Sequence, residues 1–182
     1  MTTEEQYDRA IATCREVFRD KLADYGTAWR IMRPESLTDQ IFIKACRIRG
    51  IEQGLASQVD ESIMAGLVAI VNYSIIALIQ LKQGFSEKAD MPLQRAISLY
   101  EEYAEEAKQL MIAKNHDYQE AWRLMRVKAY TDIILQKINR TKMIEDHEGI
   151  TKVSEGIDAN YFDMLNYAIF YIIKLTEEND KD

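Results

Sequence analysis

A tandem repeat constrains this chain more than any other feature of its sequence. The segment DYGTAWRIMR at 24–33 returns 93 positions later, at 117–126, as DYQEAWRLMR. Between 24 and 52 the two copies share 14 of 29 residues without a gap. After one inserted residue the similarity resumes, and 61–81 aligns with 155–175. The fold must therefore accommodate two similar units.

Each unit is predicted to contain three helices. The first unit would have them at roughly 3–23, from Ser36 to Gly50 or Gly54, and at 60–83. Their counterparts would cover 92–115, 129–147 and 154–177. Ser36 and Asp39 have the spacing of a capping box, and Pro92 suits a first helical turn. With only 7 Gly and 2 Pro in 182 residues, a β-sandwich or barrel would lack turn residues.

We therefore predict an all-α fold, an internally duplicated helical bundle. The first three-helix unit would span 1–84 and the second 92–182, joined by a linker at 85–91. Because the linker is short and the third helices are apolar, we expect one globule with a pseudo-two-fold axis near those helices. Ala65, Gly66 and Ala69 are small enough to allow close approach there.

The apolar stretch at 63–81 carries no charge and approaches the length of a membrane span. Asn72 and Gln80 interrupt it, however, and the equivalent stretch of the second unit contains charged residues. We predict a buried helix of a soluble protein that does not enter the membrane. The polar N-terminus gives no signal peptide, and the unpaired Cys14 and Cys46 fit a reducing cytoplasm.

The formal net charge of −7 argues against a protein that binds duplex nucleic acid, because such proteins are usually basic. A local cationic pocket for a small anion is still compatible with this charge.

The cations kept in both copies are candidates for such a pocket. Lys44 and Arg47 lie three apart on one face of the second helix, and Arg30 and Arg33 have the same spacing just before it. Together with Trp29 they could hold a phosphate beside a base-stacking surface. The equivalent candidates in the second unit are Trp122, Arg123, Arg126, Lys137 and Arg140.

A structural role is the alternative for every one of these residues. The arginines could pair with Asp24 and Asp39 to fix the intervening loop, Lys44 could be solvated, and the tryptophans could be packing residues. Asn72 and Asn166 lie on apolar helices and need hydrogen-bond partners. They belong either to an interhelical hydrogen bond or to a polar site.

Three carboxylates of the second unit are candidate ligands for a divalent cation such as Mg²⁺. Glu155, Asp158 and Asp163 lie on its third helix and supply the oxygen ligands that hard cations prefer. The first unit has Met64 and Ala69 in place of the two aspartates, so the second unit would hold the better metal site. Alternatively, Glu155 complements the helix dipole.

The shared motifs resemble those of a bacterial and phage family, the nucleotide-modification-associated domain. They are Lys-x-x-Asp-Tyr (at Lys21 and Lys114), Trp-Arg, Lys-x-x-Arg and Asn-Tyr (at Asn72 and Asn166). The resemblance covers both units and implies a role in nucleotide metabolism, without a defined reaction.

A second resemblance is to the all-α, MazG-like nucleoside triphosphate pyrophosphatases. These enzymes bind magnesium between Glu-Glu-x-x-Glu on one helix and Glu-x-x-Asp on the next, and similar strings stand here at 101–105 and 155–158. The strings are about fifty residues apart, farther than in that family. The architectural likeness is that such enzymes pair helical subunits around shared carboxylates.

Two functions follow. The chain is either a nucleotide-binding protein, and as such a candidate Mg²⁺-dependent pyrophosphohydrolase-like enzyme, or a non-catalytic helical interaction module. The first takes a nucleotide or another phosphorylated small molecule as its partner, and association into homo-oligomers stays open. The two are distinguished by whether the shared cations face one cleft beside carboxylates or pair with one another.

Overall fold

Six α-helices form the fold. The computed structural model describes residues 1–59 and 61–179, and in that part of the chain every regular element is helical. The first unit contains α1 (Thr3–Tyr25), α2 (Pro34–Glu52) and α3 (Ile63–Gln83). The second contains α4 (Leu93–Tyr118), α5 (Val127–Asp146) and α6 (Ile157–Asn179). The all-α duplicated bundle predicted from the repeat is confirmed.

The helix boundaries follow from local capping chemistry. Thr2 and Glu5 form a capping box at the start of α1, and Gly26, at φ 64°, ends that helix, as an achiral residue can without strain. The predicted start of α2 at Ser36 is wrong. The helix begins two residues earlier because Pro34 occupies its first position, where the fixed φ of proline is favourable and its missing N–H is not needed.

The Trp-Arg motif forms a short 3₁₀ helix in each unit, which the sequence did not predict. These helices are Ala28–Ile31 and Ala121–Leu124. In the first unit the Gln80 amide on α3 donates to the backbone carbonyls of Trp29, Arg30 and Met32. In the second, Lys174 Nζ donates to the carbonyl of Arg123 over 2.9 Å. The motif thus lies against the third helix of its own unit.

The centre of the fold is the pair α3 and α6. Each packs against the other, with α2 on α3, α5 on α6, and α1 and α4 across both. Although α3 is long and apolar enough to span a membrane, 72% of its most apolar window is buried inside the protein. It is therefore the core helix that the sequence indicated.

The expected role of the small residues on α3 is wrong. Ala65 and Ala69 line a cavity within the first unit, and a Cβ on Gly66 would meet Ile48 of α2 at 3.3 Å. Gly66 therefore lies against α2, and the two alanines face the cavity.

Ion pairs between the units come in reciprocal sets. Arg49 binds Asp132 at 2.6 Å and Lys142 binds Asp39 at 2.7 Å, and these positions correspond at an offset of 93. On α1 and α4, Arg15 pairs with Glu101 and Lys108 with Asp8, both at 2.7 Å. Reciprocal contacts of this kind are the mark of a two-fold interface. They support the predicted pseudo-two-fold relation.

A second reciprocal set consists of partly buried hydrogen bonds. Thr131 Oγ1 donates to Glu52 over 2.7 Å, and Thr38 Oγ1 donates to Glu145 over 2.8 Å. The hydroxyl of Tyr161 also lies 2.5 Å from Thr38 Oγ1. Burial raises the pKa of Glu145 above its usual value, although the Thr38 hydrogen bond acts in the opposite direction. Compared with the unfolded chain, the fold therefore favours the protonated form of the Glu145 carboxyl.

Glu145→Gln is expected to raise the melting temperature at pH 7 by up to about 2 °C. The neutral amide can still accept from Thr38 and avoids the burial of a charge. Because the folded pKa is raised, the advantage should vanish as pH falls below it, where the native carboxyl is itself neutral. Thermal unfolding at pH 7 and pH 4 measures this, with the exposed Glu87→Gln as control. A lower melting temperature at pH 7 would contradict it.

Candidate functional site

The first unit contains a cavity of about 660 Å³ between α1, the 3₁₀ helix Ala28–Ile31 and α3. Its volume lies within the range of pockets that hold small ligands. Most of the wall is apolar or aromatic. Its buried lining residues are Phe18, Leu22, Trp29, Val68, Asn72 and Ile76.

Among the residues that the structure describes, three charged ones line this cavity, two lysines and one glutamate. Lys44 Nζ donates to Glu61 Oε1 over 2.7 Å, and Arg47 Nε lies 3.7 Å from Glu61 Oε2. The Lys44 hydrogen bond lowers the pKa of Glu61, and the nearby charges of Arg47 and Lys21 act in the same direction. Glu61 is therefore ionised at neutral pH, and the described lining residues Lys21, Lys44 and Glu61 together carry one net positive charge.

The corresponding position in the second unit is occupied by a carboxylate. Asp163, the counterpart of Ala69, lies between Lys114 Nζ at 2.6 Å and Lys137 Nζ at 2.7 Å. These lysines are the counterparts of Lys21 and Lys44. Burial alone would raise the pKa of Asp163, but the hydrogen bonds from both lysines outweigh it and the pKa is lowered. Asp163 is thus an ionised, buried partner of two cations.

Aromatic side chains fill the rest of the second unit. Phe170 replaces Ile76 and stacks on Trp122 with ring centroids 4.3 Å apart, and Phe162 replaces Val68 beside Tyr103. Trp122 is thus a packing residue, whereas Trp29 lines the cavity. Phe162, Asp163 and Phe170 are larger than Val68, Ala69 and Ile76, which line the cavity at the equivalent positions of the first unit.

The predicted phosphate-binding arginines have partners within the protein. Arg30 is 6% exposed; it pairs with Asp90 at 3.0 Å and donates to Gln80 and to the carbonyl of Gly84. Arg123 binds Glu120 at 2.7 Å and Glu177 at 3.0 Å. Neither arginine lines the cavity. The structural alternative thus describes them well, with partners other than the expected Asp24 and Asp39.

The remaining predicted cations lie apart from one another. Arg33 and Arg126 are exposed at the starts of α2 and α5. Arg47 donates to Ser57 and to the carbonyl of Glu61. Arg140 lines a separate, shallow pocket between α5 and the following loop. Of the cations predicted in the first unit, only Lys44 lines the cavity.

Of the predicted metal ligands, Asp158 and Asp163 lie on α6, whereas Glu155 precedes that helix, contrary to the prediction. Among residues 1–59 and 61–179, no group of three or more acidic, histidine or cysteine side chains is arranged to hold a metal ion. Asp163 is bound by two lysines, as described above, and Glu101 of the other acidic string pairs with Arg15. The magnesium site at Glu155, Asp158 and Asp163 therefore stays a prediction.

Asn72 and Asn166 both make interhelical hydrogen bonds. The hydroxyl of Tyr100 donates to Asn72 Oδ1 and that of Tyr7 to Asn166 Oδ1, each over 2.8 Å. Each amide also donates to a backbone carbonyl, Asn72 Nδ2 to Cys14 and Asn166 Nδ2 to Ala107. The interhelical hydrogen bonds are thus confirmed; Asn72 lines the cavity as well, and its role in a polar site stays a prediction.

A family profile described as nucleotide modification associated domain 1 matches the chain twice, at residues 21–81 and 114–175. The chain belongs to this family. It therefore carries two nucleotide modification associated domains in tandem, as the repeat indicated. No curated protein and no solved structure shows a significant match, and the likeness to MazG-like enzymes has no support.

Both matches begin at a lysine of the Lys-x-x-Asp-Tyr motif that was not among the predicted site residues. Lys21 and Lys114 are the first matched positions; Lys21 lines the cavity together with Ala69, and Lys114 binds Asp163. Their place in the Lys-x-x-Asp-Tyr motif was the available signal. The role of each lysine depends on whether alanine or aspartate occupies the position of Ala69 and Asp163. That position is 48 or 49 residues further along the chain.

Proposed function

We propose that the first nucleotide modification associated domain binds a nucleotide, with its heterocycle in the cavity and its phosphate between Lys21 and Lys44. The observation that most directly supports this proposal is that the first unit has Ala69 where the second has Asp163. In the second unit a carboxylate of the protein binds both lysines. In the first unit the equivalent lysines line an open cavity and the carboxylate is missing.

The charge at this position supports an anionic ligand. Two lysines against one glutamate leave a net positive charge, and a phosphate can accept hydrogen bonds from both ammonium groups as Asp163 does. Glu61 already holds Lys44, so the incoming anion completes a charge-assisted network in which Lys21 is the second donor. The position and negative charge of Asp163 in the second unit thus support the position and charge proposed for the phosphate in the first.

The cavity wall supports a flat heterocycle as the remainder of the ligand. Phe18 and Trp29 are buried aromatic residues of the wall, and Tyr73 lies beside them. A large apolar pocket with a few polar groups is the usual design of a small-molecule site. Together with the proposed anion site and the family's association with nucleotide modification, this favours a nucleotide over a simple sugar phosphate.

Hydrolysis with Mg²⁺ is the catalytic form of this proposal. Mg²⁺ is usually bound by one or two carboxylates together with substrate phosphates and water. Glu61 is the carboxylate that lines the cavity, whereas the sequence analysis placed the metal at Glu155, Asp158 and Asp163. A dependence of nucleotide binding on Mg²⁺, and the variant that removes it, distinguishes these positions.

The test is a thermal-unfolding panel with nucleoside mono-, di- and triphosphates, each with and without Mg²⁺. A ligand at 100 times its dissociation constant should stabilise the protein by about 2.7 kcal/mol, or roughly 5–10 °C. Lys21→Ala and Lys44→Ala are expected to lose the shift. The exposed Lys128→Ala should retain it.

Two results would count against the proposal. A shift that is lost in Lys114→Ala and Lys137→Ala but kept in the first-unit variants would place the site in the second unit. A flat panel would leave the interaction module as the better account. A shift that requires Mg²⁺ would lead to assays for nucleotide hydrolysis, with Glu61→Gln compared with Glu155→Gln.

A further inference from the structure

We infer that Asn72 reads the polar edge of the bound heterocycle by pairing with an adjacent donor and acceptor. This inference rests on the proposed nucleotide site and assigns the residue that makes it selective for a base.

The orientation of the Asn72 amide is fixed by its two partners. A backbone carbonyl can only accept, so the atom 3.0 Å from the Cys14 oxygen must be the amide nitrogen. The Tyr100 hydroxyl then donates to Oδ1 over 2.8 Å. An asparagine side chain offers two N–H donors and two oxygen lone pairs. One N–H and one lone pair therefore remain for a ligand.

The position of Asn72 makes this remaining capacity available inside the cavity. It is 8% exposed, and it carries the one amide group among the buried lining residues, the others being apolar or aromatic. A buried polar group that lacks part of its hydrogen bonding gains from a ligand that supplies it. Nucleobases present a donor and an acceptor side by side, and asparagine pairs with such an edge in two hydrogen bonds.

The second unit separates the structural role of this residue from its role toward a ligand. Asn166 makes the same two hydrogen bonds, to Tyr7 and to the Ala107 carbonyl. In that unit Phe170 stacks on Trp122 and Asp163 binds two lysines, and they replace the smaller Ile76 and Ala69 of the cavity wall. The loss of the interhelical hydrogen bonds therefore has similar consequences at both positions, whereas only Asn72 adjoins the cavity.

The experiment compares Asn72→Leu with Asn166→Leu in the full chain. The ligands are the nucleoside monophosphate that gives the largest shift in the panel and ribose 5-phosphate, which lacks the base. Asn72→Leu should weaken binding of the nucleotide by roughly 10-fold or more and leave ribose 5-phosphate binding unchanged. Asn166→Leu should lower the melting temperature to a similar extent and leave both affinities unchanged.

A second, less disruptive pair of variants keeps the test valid if the leucine variants fail to fold. Tyr100→Phe removes one hydroxyl that holds the Asn72 amide, and we expect it to weaken nucleotide binding several-fold, whereas Tyr7→Phe should not. Unchanged nucleotide affinity in Asn72→Leu or in Tyr100→Phe, with binding still lost in Lys44→Ala, would overturn this inference and leave the nucleotide site in place. Absence of nucleotide binding by the wild-type protein would overturn both.

Discussion

Ala69→Asp is expected to abolish nucleotide binding by the first unit. The new carboxylate would lie where Asp163 lies in the second unit, between Lys21 and Lys44, and would take the place of the ligand's anion. We expect the dissociation constant to rise by at least about 100-fold, because the substitution both occupies the site and neutralises its positive charge. Titration calorimetry, or the fluorescence of Trp29 in a Trp122→Phe background, measures the loss.

The stability of the same variant separates this explanation from misfolding. A carboxylate between two lysines should leave the melting temperature unchanged or raise it, since the second unit is built in that way. Ala69→Asn, which is nearly isosteric with aspartate and uncharged, is the matched control and should weaken binding less. Full affinity in Ala69→Asp would contradict the assignment of the anion site.

Asp163→Ala is expected to destabilise the protein by about 3 kcal/mol, because it leaves the charge of Lys137 buried without a partner. The Lys137 side chain is 15% exposed and that of Lys114 is 53% exposed, so most of the loss arises at Lys137. Chemical denaturation at pH 7 measures the difference. A loss below about 1 kcal/mol would show that the two lysines reach solvent when the carboxylate is removed.

A double variant and the pH dependence test the cause of that loss. Asp163→Leu combined with Lys137→Met replaces the pair with apolar residues and should recover most of the stability. The pKa of Asp163 is lowered in the fold, so its contribution is complete above the unfolded pKa near 3.8. The contribution disappears as pH falls through the folded value. The difference between Asp163→Ala and wild type should shrink accordingly below about pH 4.

The fold was largely predictable from the repeat, and the contacts between the units were not. Helical periodicity, few glycines and two copies were enough for an all-α duplicated bundle. The partners Tyr7 and Tyr100 lie outside the segment in which the copies share most residues. In the ion pairs, Asp8 corresponds to Glu101 and Arg15 to Lys108, so the charge is kept while the residue changes. A comparison limited to identical residues therefore misses these ion pairs.

The candidate site depends on differences between the copies, whereas the sequence analysis relied on their similarities. Retention of Arg30 and Arg123 in both units reflects ion pairs and hydrogen bonds within the fold. The cavity arises because Val68, Ala69 and Ile76 are smaller than their counterparts. Whether a smaller residue leaves a cavity depends on how its neighbours pack, and the sequence does not specify that packing.

The crossed hydrogen bonds have a consequence for how the chain folds as it is synthesised. Thr38 meets Glu145 and Tyr161, which are 107 and 123 residues further along, and Asn72 needs Tyr100. When only the first unit has emerged from the ribosome, Thr38 and Asn72 therefore lack these hydrogen-bond partners. Contacts so distant in sequence slow folding relative to a locally connected helical bundle. We expect the units to acquire their native packing together, after synthesis, in one cooperative transition.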